Sequence, residues 1–182
     1  MFLYAQLSKL IMSTWWSNTT QNNSLALTNA NGRPYLFGIK ITSSYVGNYL
    51  QTATFWLKRN DTPTGDVTAI VLDSSGSTRE TSTTTYDITS ISNSSFEQKE
   101  FTFSGLQVNL GDYIMIDCSD ITTSPDSMCL GGTDTSSSPC YDISNGSSTI
   151  NEYIDRQTSF IFAGSSTPAS SGTLLPPPVA WI

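Results

Sequence analysis

Histidine is missing from all 182 residues. Its absence removes the commonest general base, the Ser-His and Cys-His nucleophile pairs and the commonest zinc ligand together. An enzyme built from what remains needs a pair of carboxylates held about 5 to 9.5 Å apart, as glycosidases do. Asp112, Asp117, Asp120 and Asp126 are available, yet no feature of the sequence sets two of them across a cleft. The chain is expected not to be an enzyme. Charge is scarce as well, at 13% of residues, about half the usual share of a globular domain. Eight basic residues stand against fifteen acidic ones, net −7, which excludes the basic stripe that nucleic-acid phosphates demand. No apolar run is long enough and unbroken enough to span a bilayer. Ser, Thr and Asn fill the place of charge, and a surface solvated by neutral hydrogen bonding suits an extracellular, cell-surface or virion protein.

Cysteine is equally sparse. Cys118, Cys129 and Cys140 cannot all pair within one chain. Cys118 falls on the core face of an alternating strand and reads as a small buried hydrophobe. Cys129 and Cys140 bracket the polar loop LGGTDTSSSP, and a disulfide closing it would remove about 3 kcal/mol of loop entropy from the unfolded state. All three thiols staying reduced is the competing reading. Three Cys without a His do not suggest a zinc site.

What is present is period-two alternation. Phe37, Ile39 and Ile41 alternate with Gly38 and Lys40, and Ala53, Phe55 and Leu57 alternate with Thr54, Trp56 and Lys58, as half-buried strands require. Val67, Ala69 and Val71 interleave with Ile70 and Leu72, a strand apolar on both sides and so central in its sheet. Between the last two, Asn60 to Gly65 reads as a loop in which Pro63 pre-sets φ and Gly65 is free to take φ > 0. DSSGS at 73–77 is a second turn. Thr81–Ile88, Phe101 with Phe103, Leu106 to Leu110, Tyr113–Cys118 and Phe160 with Phe162 complete about eight short strands, with no helix in the body. An all-β antiparallel sandwich of jelly-roll type fits this spacing.

The flanks differ from the body. Leu3, Leu7, Leu10 and Ile11 have helical spacing and precede Trp15 and Trp16, so residues 1–16 read as a short amphipathic arm or as a terminal segment packed on its own domain. As an export signal the stretch is poor, having no positive charge before its apolar residues. Residues 17–34 are polar and read as linker. The expected organisation is an N-terminal arm and linker over 1–34, a sandwich over 35–164 and a Pro-rich arm over 165–182. That last arm stiffens at Pro176–Pro178 and carries Leu174, Leu175, Val179, Trp181 and Ile182. Leaving such side chains in water forgoes about 1.5 to 3 kcal/mol each. With Phe2, Leu3, Leu7, Trp15 and Trp16 they are the candidate assembly contacts, seated on the domain itself or on a neighbour.

The segments LKRNDTPTGDVTAIVLD at 57–73 and FTFSGLQVNLGDYIMI at 101–116, with the strand at 35–41, resemble a loose family of β-sandwich modules in archaeal, bacterial and phage surface proteins. Those modules carry a "GSPTG"-like turn and a late "FTF" strand followed by a "GDY"-type strand. The resemblance covers residues 35 to 118 and implies an adhesive, spacer or sugar-binding role within a larger assembly.

Three further sets complete the candidates. Tyr45, Tyr49, Trp56 and Tyr86 are the rings that would stack on a sugar. Sequons stand at Asn18, Asn22, Asn60, Asn93 and Asn145 and matter only if the chain meets a glycosylating compartment. Asp112, Asp117, Asp120, Asp126, Asp134 and Asp142 supply oxygens that suit calcium, but without EF-hand spacing they read as solvated loop acids, and no cofactor is expected. The sequence thus favours a non-catalytic structural subunit of an outer-surface assembly, a virion capsid, turret or decoration protein first. It would associate with itself or other structural subunits through its arms. A glycan-binding adhesion module, or a subunit of a secreted filament or surface layer, is the alternative.

Overall fold

The computed structural model describes residues 12–20, 23–27, 34–121, 128–133, 140–144, 147–153 and 157–167. Its strands are β1 (Ser13–Asn18), β2 (Asn23–Leu27), β3 (Pro34–Lys40), β4 (Tyr49–Arg59), β5 (Asp66–Leu72), β6 (Thr78–Thr81) and β7 (Tyr86–Asp87). They continue with β8 (Glu97–Gln107), β9 (Tyr113–Asp117), β10 (Met128–Thr133), β11 (Cys140–Ser144), β12 (Ile150–Tyr153), β13 (Gln157–Thr158) and β14 (Phe160–Ser165). A 3-10 turn at Ile88–Ser90 is capped by the Asp87 carboxylate, which accepts the Thr89 N–H. All pairings are antiparallel and make two sheets. The front sheet runs β1-β14-β4-β10-β13, with β2 on β10 and β8 on β4; the back sheet runs β12-β11-β3-β9-β5-β6, with β7 on β5.

The all-β expectation holds, and the inner faces follow the alternation. Phe37, Ile39, Val67, Ala69, Val71, Ile114, Ile116 and Cys118 of the back sheet pack against Ala53, Phe55, Leu57, Phe101, Phe103, Phe160 and Phe162 of the front sheet. The loop after Arg59 carries the chain from front sheet to back, so the two strands it joins are not hairpin partners. Gly65 has φ 112°, and a Cβ there would stand 2.2 Å from the Asp120 carbonyl oxygen. Only glycine meets both demands.

The strand count is a correction, since fourteen segments replace about eight. The additions lie where apolar alternation is absent. β2 and the start of β3 occupy the expected linker, and β10 to β13 occupy the polar stretch before Phe160. MCLGGT and QT hold their places through backbone pairing with β2, β4 and each other, which composition does not announce. Leu106 and Leu110 mark no separate strand: β8 runs through Gln107, and Leu110 is 64% exposed in the turn that follows. The stretch expected as a Thr-rich strand over 81–88 is divided between β6, β7 and the 3-10 turn.

Within the expected arm and linker, the described residues belong to the sandwich, as the reading of a terminal segment packed on its own domain requires and a polar linker does not. Residues 13–18 pair with β14, and 23–27 with β10. The register of β1 shifts between Thr14 and Trp16, and a bulge of this kind lets two successive side chains share one face. Trp15 and Trp16 accordingly both reach the core rim. Trp16 stacks on Tyr45 at 4.1 Å and meets Phe160 edge-on at 5.0 Å, while Trp15 lies 5.8 Å from Phe162. The Trp pair staples the N-terminal strand to the body instead of projecting towards a partner.

Trp16→Ala should therefore lower unfolding free energy by about 3 to 5 kcal/mol, the range for emptying a buried Trp site. Met12→Ala, at a side chain 48% exposed, should stay within about 0.5 kcal/mol. Urea denaturation followed by tryptophan fluorescence and circular dichroism checks both, and equal effects would contradict the staple.

Candidate functional site

Antiparallel sheets commonly turn one polar face to water. The back sheet does not. On its outer side Leu36 of β3, Ile70 and Leu72 of β5, Tyr113 and Met115 of β9, and Tyr141 and Ile143 of β11 form a second apolar cluster, each at most 8% exposed. Tyr35 and Ile150 pack against it, half-buried. Part of the floor is drawn tight by Gly38, where a Cβ would stand 2.0 Å from the Ile114 carbonyl oxygen.

The turn after β5 and residues 147–148 border this face. The turn after β5 is tied by Asp73, whose Oδ1 accepts the N–H groups of Ser75 (2.8 Å) and Ser77 (3.0 Å) and the Ser75 hydroxyl (2.6 Å). These bonds, the Ser75 hydroxyl first, hold the Asp73 carboxyl below its usual range. At the tip, a Cβ on Gly76 would lie 3.6 Å from Ile150 Cδ1, so the turn approaches the start of β12. Here lies a groove of about 430 Å³. Tyr35, Leu36, Ile70, Leu72 and Ile143 line it with apolar surface; Ser75, Ser77, Thr78, Ser147 and Ser148 add hydroxyls; Asp117 is the one charged group among its described lining residues.

Elsewhere on the same face Tyr113 and Tyr141 meet edge-on at 5.2 Å, and the Lys40 ammonium sits over both rings at 5.3 and 5.6 Å. Burial, followed by the charge of Glu152, pushes the Tyr141 phenol up to about 12.

The structure disperses the other candidates. Trp56 is 8% exposed, one ring face of Tyr45 is taken by Trp16, and Tyr86 packs edge-on against Phe101 at 5.2 Å while its hydroxyl donates to the Glu100 carbonyl. Tyr49 is half-buried at the start of β4. The carboxylates serve turns: Asp112 is buried, pairs with Arg79 and accepts the Asn109 N–H at 2.8 Å. Asp117 accepts the Ser119 N–H, and Asp120 the Asp66 N–H. Asp142 faces the interior and accepts from Asn151 Nδ2 at 2.8 Å. Asp126 and Asp134 lie outside the described residues. Among the described residues no three His, Cys, Asp or Glu side chains gather where they could hold a metal ion.

Cys118 is buried in the core, and burial pushes its thiol well above the ordinary value. Cys129 stands in β10 of the front sheet and Cys140 in β11 of the back sheet; the Cys129 side chain is outside those described. Asn18 is engaged, its Nδ2 donating to the Thr158 carbonyl at 3.0 Å and its Oδ1 accepting the Thr20 N–H. Asn60 is half-buried and Asn93 exposed. Asn22, Asn145, Phe2, Leu3, Leu7, Leu174, Leu175, Val179, Trp181 and Ile182 lie outside the described residues. No helix among the described residues is long and apolar enough to cross a membrane.

Sequence reasoning read the strand over 67–72 as apolar on both sides and took it as central in its sheet, without joining its outer residues to those of other strands. Ile70 and Leu72 beside Val71, and the run YIMI at 113–116, are apolar at successive positions, which an alternating strand with one wet face does not tolerate. No family model, no curated protein and no solved structure matches this chain.

Tyr141 supplies a test of the outer face. Its folded-state pKa lies above the unfolded value near 10, so its contribution to stability is intact below pH 10 and lost as pH rises towards about 12. Tyr141→Phe should make the fall of unfolding free energy across that window shallower than in the parent chain, by urea titration at stepped pH. Parallel curves would show that the phenol is not held neutral by the fold.

Proposed function

We propose that this chain is a non-catalytic structural subunit of an outer-surface assembly, a virion shell or decoration protein in first place, built on a jelly-roll-type sandwich and joined to its neighbours through terminal segments. The observation that carries the reading is the back sheet, apolar on both faces and grooved on the outer one. A surface poor in charge and rich in hydroxyls accompanies it. Apolar surface left at a groove rimmed by polar groups marks a contact site on many proteins. The apolar segment Leu174–Ile182 supplies a matching contact of the same chemistry. Of the four carboxylates considered for a glycosidase pair, Asp112 is engaged with Arg79 and Asn109 and Asp120 with Asp66, which supports the non-catalytic reading.

Light scattering over a concentration series tests the reading, comparing the full chain with one ending at Ser171. The shortened chain retains every strand described. The full chain should rise in mass with concentration and form ordered particles or filaments by electron microscopy, while the shortened chain stays a monomer. Monomers in both cases would contradict the proposal.

A further inference from the structure

We propose that Asn93 is an acceptor for an N-linked glycan, displayed at the pole of the sandwich opposite the terminal segments. The glycosylating compartment rests on the outer-surface reading; the choice of residue and pole rests on geometry.

Five Asn-x-Ser/Thr sequons stand in the chain, at Asn18, Asn22, Asn60, Asn93 and Asn145, and the first, third and fourth fall among the described residues. Transfer joins the amide nitrogen to a sugar. Nδ2 attacks the anomeric carbon of a lipid-linked oligosaccharide diphosphate, and the bond from that carbon to the diphosphate oxygen breaks. The lipid diphosphate leaves with the electron pair, and the amide gives up one proton to a base. The amide must therefore be free, and its backbone must enter the transferase's cleft. Asn18 fails on both counts. It ends β1 opposite Phe160 of β14, its Nδ2 donates to the Thr158 carbonyl at 3.0 Å, and its Oδ1 accepts the N–H of Thr20, the hydroxyl residue of the same sequon. Asn60 is half-buried where the chain crosses between the sheets.

Asn93 meets both requirements. It is exposed, as are Ser94 and Ser95, in the loop between the 3-10 turn and β8, outside the ladders of both sheets. The loop is held at its root: the Ser92 carbonyl accepts the Arg59 N–H at 2.9 Å, and the Ser92 N–H donates to Glu97 Oε1 at 2.9 Å. The Ser94 and Ser95 N–H groups donate back to the Ser92 hydroxyl at 3.2 and 3.3 Å. These bonds involve neither the Asn93 amide nor the Ser95 hydroxyl, the two groups a sequon contributes.

The pole follows from strand register. β4 runs from Tyr49 to Arg59, a span of about 30 Å. At its Tyr49 end lie Ser165, its partner on β14, and Ser13, which pairs with Gly164. Residues 1–11 and 168–182 join the body there. Asn93 stands at the Arg59 end, next to the bond between Ser92 and Arg59. Subunits joined through their terminal segments thus turn Asn93 away from the contact, where a bulky, solvating glycan has room.

The test presents the folded full chain, and separately a peptide of residues 88–100, to a purified oligosaccharyltransferase with a lipid-linked oligosaccharide donor, and maps occupancy by mass spectrometry. Occupancy of Asn93 should exceed that of Asn18 by about tenfold or more, because Asn18 must first give up its hydrogen bonds to Thr158 and Thr20. Ser95→Ala should abolish modification of Asn93 and Ser95→Thr should retain it; at this exposed position both should leave the circular dichroism spectrum unchanged. Equal occupancy of Asn18 and Asn93, or a modified peptide beside an unmodified Asn93 in the folded chain, would overturn the assignment. So would an unmodified peptide, since the sequence would then be no acceptor at all. Light scattering over a concentration series then compares glycosylated with unmodified chain. A rise in mass in both supports the outward pole, whereas a rise lost on glycosylation would place Asn93 in a contact and overturn it. Monomers in both would contradict the assembly reading and leave Asn93 standing as an acceptor.

Discussion

A sheet whose strands are apolar on both faces must be covered on both. The back sheet imposes this constraint on the whole molecule: Val67, Ala69 and Val71 look inward while Ile70 and Leu72 look out, and Ile114 and Ile116 are answered by Tyr113 and Met115. The inner demand is met by the front sheet, whose Phe55, Phe101, Phe160 and Phe162 fill the sandwich. On the outer side Ile70, Leu72, Tyr113 and Met115 are each at most 8% exposed, and the Asp73-tied turn and Ile150 stand beside the groove that remains there.

The same economy explains the small use of charge. Each described ion pair holds local geometry: Arg79 with Asp112 anchors the turn before β9, and Lys99 with Glu97 stands within β8. Lys40 spends its charge over Tyr113 and Tyr141. Turns are closed by Asp, Ser and Thr side chains bonding to nearby backbone, as at Asp73 and Asp87.

Much of the body was legible because burial writes a period into strands. Phe37, Ile39 and Ile41, then Ala53, Phe55 and Leu57, gave away their inner faces, and Gly65 its positive φ. The Trp15–Trp16 pair left two readings open, a projecting arm or a segment packed on its own domain, and the β-bulge that turns both rings to one side is what puts them on the domain. β10 and β13 were invisible for a different reason, being strands by virtue of their neighbours' backbone and not their own side chains. The groove combined both difficulties. Its apolar floor was written in β3, β5 and β11, but the juxtaposition of residues near 36, 76 and 148 is a property of topology.

The central claim is that the outer face of the back sheet is a contact surface. Hydroxyl-radical footprinting of the full chain across a dilution series tests it most directly, because Tyr35 and Ile150 are half-buried at that face while Val46 and Leu110 are 44% and 64% exposed in loops outside it. The account predicts that oxidation of Tyr35 and Ile150 falls as the chain's mass in solution rises, with Val46 and Leu110 as the internal reference. Undiminished oxidation of Tyr35 and Ile150 in assembled material would contradict it.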